Sequence, residues 1–412
     1  MLILHTADWH LGQRFHDQRR LDDERHALEH IVRIARERRV DAVLVAGDVF
    51  DHPNPGAEEQ RLYYRTLARL VDEAGVATVV VTAGNHDSAL RIEGPRALLC
   101  ALHIHVVGRW GRSAPADRPL VPLRRRDGEV AALCLAVPYL RDADLRLPAL
   151  GEGAREMHRR YAAALEGRYV AGRGAARGAY PETPLVVMGH CYVTSALLGG
   201  GERPVQVGNL AQVEAGVLAG DAAYLALGHL HRPQDIAGHR HWRYSGSLLP
   251  TGFDEVGTRR EVTLFRIDGP GLAADIESIP LEPYRDYRRL EGDPAGVRAQ
   301  VDALPLHGVD GPTPWCEATL DLTRPEPGLA RELIDRCRDR GWNLVSVRRR
   351  AQPTPAPEAF DARTELRELD PEDVFARRHE AEFGEPPDEE LRLEFARLLE
   401  DVLADENAEP AP

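Results

Sequence analysis

Side chains that bind metal ions follow five separate apolar segments in the first 231 residues of this sequence. They are carboxylates, imidazoles and one amide, with no thiolate among them: Asp8 and His10; Asp48 and Asp51; Asn85, His86 and Asp87; His190; His229 and His231. Oxygen and imidazole ligands favour manganese, iron, magnesium or zinc over metals bound through sulfur. So many candidate ligands indicate two ions, which at a separation of about 3.5–4 Å clamp the attacking and leaving oxygens of an in-line displacement at phosphorus.

Asp48 is the candidate for a ligand shared by both ions, because a two-metal site needs one bridging carboxylate. A single Gly-Asp or Gly-His pair carries little information, and a lone buried histidine is more often a packed core residue than a ligand. Here five clusters each follow an apolar run, and in four of them a glycine stands just before the first ligand: Gly47, Gly84, Gly189 and Gly228. Glycine suits a tight turn and a close approach of the backbone. The joint pattern therefore predicts a metal site.

Short runs of apolar and β-branched residues predict the strands that position these ligands. The runs span Met1–Leu4, Ala42–Val45, Val76–Val81, Val130–Val137, Leu185–Met188, Tyr224–Leu227 and Glu261–Ile267. Helical spacing of apolar residues between them predicts helices over 17–39 and 58–74. Alternation of strand and helix is typical of a layered α/β fold, in which the carboxyl ends of the strands gather ligands that are distant in sequence. The stretches 167–184 and 199–208 show no periodicity and are predicted to be surface loops.

The composition changes around residues 280–283, and we expect four units along the chain. They are a catalytic domain at 1–280, a small α+β domain at 284–350, a proline-rich linker at 351–357 and an acidic helical segment at 358–412. The small domain is indicated by apolar alternation at 315–322, a helical pattern at 329–340 and a strand pattern at 343–347. In the last segment an apolar stripe recurs at helical spacing: Leu391, Phe395, Leu398, Leu399, Val402 and Leu403. An isolated helix of that length is marginal in water, so the stripe packs either on its own domain or on a partner.

The length of 412 residues and the apolar content of 43% fit a globular protein of two or three domains. No apolar run approaches the roughly 18 residues of a membrane span, and the N-terminus lacks the pattern of a signal peptide. The five cysteines, odd in number and without a C-x-x-C pair, are typical of reduced thiols. We therefore expect a cytoplasmic protein with neither a disulfide framework nor a zinc ribbon.

The net charge of −14 would argue against a nucleic-acid substrate only if the charge were spread evenly. Residues 358–412 contain 19 acidic and 6 basic side chains, which leaves a net charge of −1 for residues 1–357. The region with the candidate ligands is thus close to neutral. The net charge of the whole chain therefore does not argue against DNA binding by this region.

The ligand motifs also carry a family resemblance. D-W-H, G-D-V-F-D, G-N-H-D, G-H and G-H-L-H, in this order, resemble the calcineurin-like metallophosphoesterase superfamily. The longer segments HTADWHLGQ, VAGDVFD, VPYLR, ALGHLHRPQ and YSGSLLPTGFDE resemble the SbcD family of bacterial nuclease subunits. The resemblance implies a layered metallophosphoesterase β-sandwich flanked by helices, with a small α+β capping domain and a C-terminal helical tail.

The resemblance further implies two metal positions that share one carboxylate. Asp8, His10, Asp48 and His231 would hold one ion, and Asp48, Asn85, His190 and His229 would hold the other. Manganese is the usual ion of the family. His86 would face the scissile phosphate, where an imidazole stabilises developing charge or protonates the leaving oxygen.

The sequence leaves open which group orients His86. Asp51 stands at the position of a partner carboxylate in phosphatase relatives, whereas archaeal nuclease relatives carry a histidine there. The neighbouring His52 is a further candidate, and Asp87 either orients His86 or caps the helix that follows it. Cys191 has no paired base apart from candidate metal ligands, so we expect it to be a packing residue.

The SbcD resemblance implies a nuclease that processes DNA ends in repair, recombination and replication. It implies exonuclease action on double-stranded ends and endonuclease action on single strands and hairpins. The partner would be an SbcC-type ATPase, in a nucleoid-associated heterotetramer that contains a homodimer of the nuclease subunit. The capping domain would place duplex DNA over the metals, and the run Arg348, Arg349 and Arg350 either contacts phosphates or is a solvated strand end. Leu391, Phe395, Leu398 and Val402 of the tail would dock on the ATPase.

Two other functions are compatible with parts of this pattern. A phosphatase or cyclic-nucleotide phosphodiesterase would use the same metal ligands but would not need the long extension after Pro280. A non-catalytic scaffold for DNA ends or for an ATPase would have no physical reason to keep the whole ligand set together with His86. We therefore predict a metal-dependent enzyme that hydrolyses DNA phosphodiester bonds.

Overall fold

The computed structural model describes residues 1–111, 113–145, 154–193, 196, 213–308, 310–322 and 326–350, and short stretches between 375 and 395. The predicted loop at 199–208, the predicted linker at 351–357, and Leu398 and Val402 of the tail lie outside the described residues. Among the helices that are described, none is both long and apolar enough to cross a membrane.

The described residues form fifteen strands and nine α-helices. The strands are β1 (Leu2–Thr6), β2 (Ala42–Ala46), β3 (Thr78–Thr82), β4 (Ile104–Val107), β5 (Leu120–Arg124), β6 (Val130–Ala136), β7 (Leu185–His190), β8 (Tyr224–Gly228), β9 (Gln234–Ile236), β10 (His239–Tyr244), β11 (Glu261–Arg266), β12 (Ala274–Pro280), β13 (Tyr287–Gly292), β14 (Trp315–Leu320) and β15 (Asn343–Arg349). The helices are α1 (Leu21–Glu37), α2 (Ala57–Asp72), α3 (Ala89–Glu93), α4 (Arg96–Cys100), α5 (Asp142–Leu145), α6 (Ala154–Ala179), α7 (Ala215–Ala219), α8 (Pro294–Asp302) and α9 (Leu329–Asp339).

Strands β1 to β12 form two six-stranded sheets with a shared apolar core. The first sheet has the order β12-β11-β1-β2-β3-β4, and the second has the order β5-β6-β7-β8-β10-β9. β1 to β4 are parallel, and so are β6, β7, β8 and β10, whereas the pairs β1–β11, β11–β12, β5–β6 and β9–β10 are antiparallel. Leu44 and Val80 of the first sheet lie in one buried cluster with Val186 and Ala226 of the second. This packing confirms the predicted layered β-sandwich.

Helices cover the outer face of each sheet. Leu28 and Ile31 of α1 and Leu67 of α2 lie in the buried cluster that covers the first sheet, as the apolar spacing predicts. The second sheet is covered by α6 and α7, with Tyr169 of α6 fully buried. The prediction of a loop at 167–184 was therefore wrong, because α6 continues to residue 179. The helix packs through Tyr161, Leu165 and Tyr169, which are spaced four residues apart. Arginine and glycine residues between them hide this spacing in the sequence.

A third sheet is formed by β13, β14 and β15, which run parallel in that order. It has its own core with α8 and α9, in which Val297, Leu333 and Cys337 are fully buried. A separate cluster of Phe15, Phe253 and Trp315 joins this sheet to two loops of the β-sandwich. The predicted helix at 329–340 and the predicted strands at 315–322 and 343–347 are confirmed as α9, β14 and β15.

Candidate metal centre

The loops after five parallel strands bring the predicted ligands together. β1, β2 and β3 are neighbours in the first sheet, and β7 and β8 are neighbours in the second. Because parallel strands end at the same edge of a sheet, their loops meet at the joint carboxyl edge of the sandwich. Asp8, His10, Asp48 and His190 are buried there.

One group of ligand atoms surrounds the amide of Asn85. The Oδ1 atom of Asn85 lies 3.0 Å from His190 Nε2 and 3.1 Å from His229 Nδ1. His190 Nε2 also lies 3.2 Å from Asp48 Oδ2. The structure thus brings together all four residues that the resemblance gives to the second ion.

The other group approaches the same oxygen of Asp48, Oδ2. His10 Nε2 is 3.1 Å from His231 Nε2 and 3.7 Å from Asp48 Oδ2. Asp8 is tied to the second group, since both of its carboxylate oxygens accept a hydrogen bond from the main-chain N–H of His229, at 2.9 and 3.1 Å. Asp48 is the residue with close contacts to both histidine groups, which is the arrangement that a bridging carboxylate requires.

The chemistry of these donors fits divalent cations. His190 Nδ1 lies 2.9 Å from the main-chain oxygen of Ala46, so this nitrogen is the hydrogen-bond donor of the neutral ring and Nε2 carries a lone pair. That lone pair faces the oxygens of Asn85 and Asp48, and three acceptors at such distances repel one another unless a cation lies between them. Ligands about 2.1 Å from a shared ion are separated from one another by about 3 Å or slightly more, as these atoms are.

The pKa values show the same demand for positive charge. Burial opposes the protonated form of His190, but the charge and hydrogen bond of Asp48, the charge of Asp8 and the hydrogen bond to Ala46 together raise the pKa of His190 to about 9. Burial would raise the pKa of Asp48, yet its contacts with His190 hold that pKa well below the usual value. Burial raises the pKa of Asp8 to about 7. A proton on His190 therefore occupies the place of positive charge, and ligand protonation competes with metal binding.

The backbone at the ligands adopts a conformation that side chains other than glycine rarely take. Four of the predicted ligands have positive φ angles: Asp8 (50°), His10 (44°), Asp48 (46°) and His229 (105°). Such left-handed positions cost about 1–3 kcal/mol each and cluster at functional sites, where the surrounding structure holds them. The chain thus turns sharply after β1, β2 and β8, where these predicted ligands lie.

Two of the predicted glycines are required by close contacts between the loops. A Cβ atom at Gly47, whose φ angle is 83°, would lie 2.1 Å from His190 Nδ1. A Cβ atom at Gly84 would lie 2.1 Å from Asp48 Oδ1 and 2.3 Å from the Asp48 main-chain nitrogen. The loops after β2, β3 and β7 can thus approach each other only because these positions lack side chains.

His86 is oriented by the main chain of Asp51. Its Nδ1 atom lies 2.7 Å from the Asp51 carbonyl oxygen, and its main-chain N–H donates to Asp48 Oδ1 at 2.9 Å. The Asp51 carboxylate lies instead 3.5 Å from Nδ1 of His10. Of the candidates that the sequence left open, the Asp51 carboxylate is thus not the group that contacts His86, because the loop after β2 presents its carbonyl to His86 and its side chain to His10. The side chain of His52 is exposed.

Asp87 connects two of the ligand loops. Its buried carboxylate accepts main-chain hydrogen bonds from Gly84 (2.8 Å), Phe50 (3.0 Å) and Val49 (3.1 Å). It holds the loop after β3 against the loop after β2, on which Asp48 lies. This role differs from the two that the sequence suggested, orientation of His86 and capping of the next helix.

A further buried carboxylate, which the sequence patterns did not indicate, lies behind His231. His231 Nδ1 lies 3.0 Å from Glu255 Oε1, and Glu255 is paired with the buried Arg260 at 2.8 Å. Glu255 ends the segment YSGSLLPTGFDE, which carries part of the family resemblance. That segment was the only signal for this residue in the sequence.

The three arginines at 348–350 lie at the end of β15, outside the metal cluster. Arg348 pairs with Glu317 at 3.0 Å, and Arg350 pairs with Glu291 at 2.8 Å. Arg349 donates to the main-chain oxygen of Leu322. Carboxylates thus offset two of the three charges, and contact with DNA phosphates stays a prediction.

Two further predicted features lie away from the ligands. Cys191 is buried beside Tyr169, and burial raises the pKa of its thiol to about 12, as suits a packing residue. In the tail, Leu391 is 40% exposed and the ring of Phe395 stacks on Phe375 at 4.2 Å. The docking of the apolar stripe on a partner stays a prediction.

Comparison with known proteins relates both parts of the chain to described families. Residues 1–233 match the calcineurin-like phosphoesterase family, and residues 283–383 match the family described as the type 5 capsule protein repressor C-terminal domain, SbcD_C. The SbcD subunit of the nuclease SbcCD from Rhodobacter capsulatus is 42% identical over 274 residues, which cover 65% of this chain and 67% of that protein.

Two relatives with the same name match over almost the entire chain. The protein from Escherichia coli K12 is 31% identical over 412 residues, covering 99% of this chain and 100% of its own length. The protein from Bacillus subtilis 168 is 32% identical over 407 residues, covering 98% of both chains. The similarity therefore includes the third sheet as well as the ligand loops.

Proposed function

We propose that this chain, which belongs to the calcineurin-like phosphoesterase family and within it to the SbcD nuclease subunits, hydrolyses the phosphodiester bonds of DNA. The observation that carries this proposal is the pair of ligand groups that meet at Asp48, with His86 beside them. Two-metal phosphoesterases use such a paired site to stabilise the attacking and leaving oxygens of the phosphate at once.

Two divalent ions, most suitably Mn²⁺, would occupy this centre. Asp8, His10, Asp48 and His231 would hold the first ion, and Asp48, Asn85, His190 and His229 would hold the second. When bound, the ions activate a water molecule and neutralise the charge that develops on the phosphate.

His86 would act on the leaving oxygen. With Nδ1 held by the Asp51 carbonyl oxygen at 2.7 Å, the ring has one orientation and its Nε2 atom remains available to the substrate. In the imidazolium form, in which both ring nitrogens carry protons, the Nε2 proton can pass to the leaving oxygen or stabilise its charge through a hydrogen bond. The Asp51 carboxylate has a different role, since its contact with Nδ1 of His10 turns Nε2 of that ring towards His231 and Asp48.

The substrates would be double-stranded ends and hairpins, cleaved by exonuclease and endonuclease action during repair, recombination and replication. The name of the relatives identifies them as one subunit of a complex, which supports an SbcC-type ATPase as the partner. We infer a homodimer within a heterotetramer that acts on nucleoid DNA. The units at 1–280, 284–350, 351–357 and 358–412 would then serve catalysis, DNA positioning, linkage and docking.

The direct test is cleavage of end-labelled duplex and hairpin DNA with Mn²⁺, with and without an SbcC-type ATPase and ATP. The wild type should release nucleotides, and His86→Ala should be slower by about 10²–10⁴-fold because it lacks the acid. The matched control is His239→Ala, which removes an exposed histidine of β10. Equal rates for all three proteins would contradict the proposal.

Two controls separate the alternatives. A phosphatase or cyclic-nucleotide phosphodiesterase would cleave small phosphomonoesters or cyclic nucleotides and leave DNA intact. A scaffold would retain DNA ends without cleaving either kind of substrate.

A further inference from the structure

The Nδ1 atom of His231 faces the buried carboxylate of Glu255. His231 Nδ1 lies 3.0 Å from Glu255 Oε1 and 3.2 Å from Thr251 Oγ1. Because the carboxylate only accepts, Nδ1 carries the proton and donates it in the hydrogen bond. Nε2 of the same ring is then the unprotonated nitrogen, and it faces Nε2 of His10 at 3.1 Å.

Glu255 is fixed by hydrogen bonds to both of its oxygens. Oε2 accepts from the main-chain N–H of Thr251 at 2.9 Å and from Arg260 Nη2 at 2.8 Å, and Oε1 accepts from the Thr251 hydroxyl at 2.8 Å. Arg260 also donates to the main-chain oxygen of His231 at 2.9 Å. Glu255 is 6% exposed and Arg260 is 8% exposed. The ring and the backbone of His231 are thus held by one buried ion pair.

The other imidazoles of the centre have different support. His190 donates to a main-chain carbonyl, and His10 has a carboxylate only at 3.5 Å. His229 directs Nδ1 itself at Asn85. Within the described site, His231 is therefore the imidazole with a close carboxylate behind it. A carboxylate in this position fixes the tautomer and makes the ring a stronger ligand.

The support of His231 continues to the third sheet. Glu255 lies in the short turn Phe253–Glu255, and the ring of Phe253 packs against Phe15 at 4.8 Å. Phe15 in turn stacks on Trp315 of β14 at 5.8 Å. The turn thus contacts His231 through Glu255 and contacts Phe15, beside the third sheet, through Phe253.

We infer that Glu255 is a positioning residue for His231, and that it strengthens the metal position that His231 shares with Asp8 and His10. The inference rests on the proposed function, in which His231 is a metal ligand.

Metal binding itself is the test. Isothermal titration with Mn²⁺ and electron paramagnetic resonance would compare the full-length wild type with Glu255→Ala and Glu255→Gln. Glu255→Ala should lower the affinity for one of the two ions by about 10- to 100-fold and leave the affinity for the other unchanged. Loss of the hydrogen-bond partner behind a metal-binding histidine lowers metal affinity by this amount. Glu255→Gln should be less affected, because its amide oxygen still accepts from His231.

The resonance spectrum provides a signature that a merely structural role would not change. At two equivalents of Mn²⁺ the wild type should show two coupled ions, whereas Glu255→Ala should show isolated ones. The matched control is Glu261→Gln, another buried carboxylate that pairs with a buried arginine, Arg243. It should bind Mn²⁺ as the wild type does.

Unchanged affinity in both Glu255 variants would overturn the inference. An equal loss in Glu261→Gln would overturn it too, because the effect would then be one of general packing. Failure of the proposed function has a different result: the wild type would bind two ions, with Glu255→Ala impaired, and DNA would stay intact.

Discussion

At the scale of single residues, the metal centre combines local signals with contacts that no local pattern announces. The gathering of the predicted ligands was predictable because each follows an apolar run in the sequence, and the roles of Gly47 and Gly84 because the turns after those runs are tight. Asp87 and Glu255 were not assigned their roles, since their partners lie on other loops. A carboxylate that accepts from a loop 38 residues away leaves no periodic trace in the sequence.

Gly84 is a residue at which one methyl group should disrupt the site. Gly84→Ala would place Cβ 2.1 Å from Asp48 Oδ1 and 2.3 Å from the Asp48 backbone nitrogen, so the loop carrying the shared ligand must move. We expect Mn²⁺ affinity, measured by calorimetry, to fall at least about tenfold, as for other losses of ligand support. Gly174→Ala is the control. Its Cβ meets no atom within 4 Å on helix α6, so the melting temperature should rise through a gain of about 0.5–1 kcal/mol. Wild-type affinity in Gly84→Ala would contradict this account.

Glu24 should make the stability of the fold depend on pH. Burial raises the pKa of this carboxyl from 4.5 to about 7, and its Oε2 atom has no hydrogen-bond partner among the described residues. Between these two values the folded state binds the proton and the unfolded state does not, so stability falls as the pH rises through this window. Glu24→Gln removes this effect. Relative to the wild type, the unfolding free energy of Glu24→Gln should be greater at pH 8 than at pH 4 by up to about 3 kcal/mol. This difference should appear as a higher melting temperature of the variant at pH 8. The exposed Glu29→Gln on the same helix should show no such difference, and a pH-independent effect of Glu24→Gln would contradict the prediction.

At the scale of elements, the buried apolar strands were predictable from the sequence, and the strands rich in charged and polar residues were not. β2 and β3 consist of apolar and β-branched residues and are buried throughout, because both of their faces are covered. β10 and β13 are rich in charged and polar residues, as in HRHWRY and YRRLEG, and their hydrogen-bonding partners alone define them as strands. The long helix α6 was missed for a related reason, since its buried stripe is diluted by arginine and glycine.

The joint between the third sheet and the sandwich should respond to Trp315. This residue stacks on Phe15, and Arg285 lies 4.1 Å above its ring. Trp315→Ala should cost about 3–5 kcal/mol of packing and increase hydrogen exchange in the loop at 11–18 and in the turn at 253–255. Trp242→Ala, in the second sheet, should leave exchange in these segments unchanged. The same protection in Trp315→Ala as in the wild type would show that the sheet is held by other contacts.

At the scale of the whole molecule, the chain consists of two parts that differ in net charge. Residues 1–357 carry a net charge of −1 and contain the metal centre, while residues 358–412 carry 19 acidic and 6 basic side chains. DNA repels such an acidic segment, whereas a basic or mixed protein surface attracts it. Leu391 of this segment is 40% exposed. Catalysis and partner binding should therefore be separable by cutting the chain between these parts.

Truncation after Pro357 is the experiment that separates them. The shortened protein keeps every predicted metal ligand together with His86, and its third sheet has its own buried core, so Mn²⁺-dependent cleavage of DNA without the partner should proceed at close to the wild-type rate. Co-purification with an SbcC-type ATPase should be lost, because the acidic segment and its apolar stripe are gone. Leu391→Glu in the full-length chain is the finer variant, and it should weaken the complex by placing a charge in an apolar contact without changing basal cleavage. A truncated protein that still co-purifies with the ATPase would place the docking surface on the sandwich or on the third sheet instead.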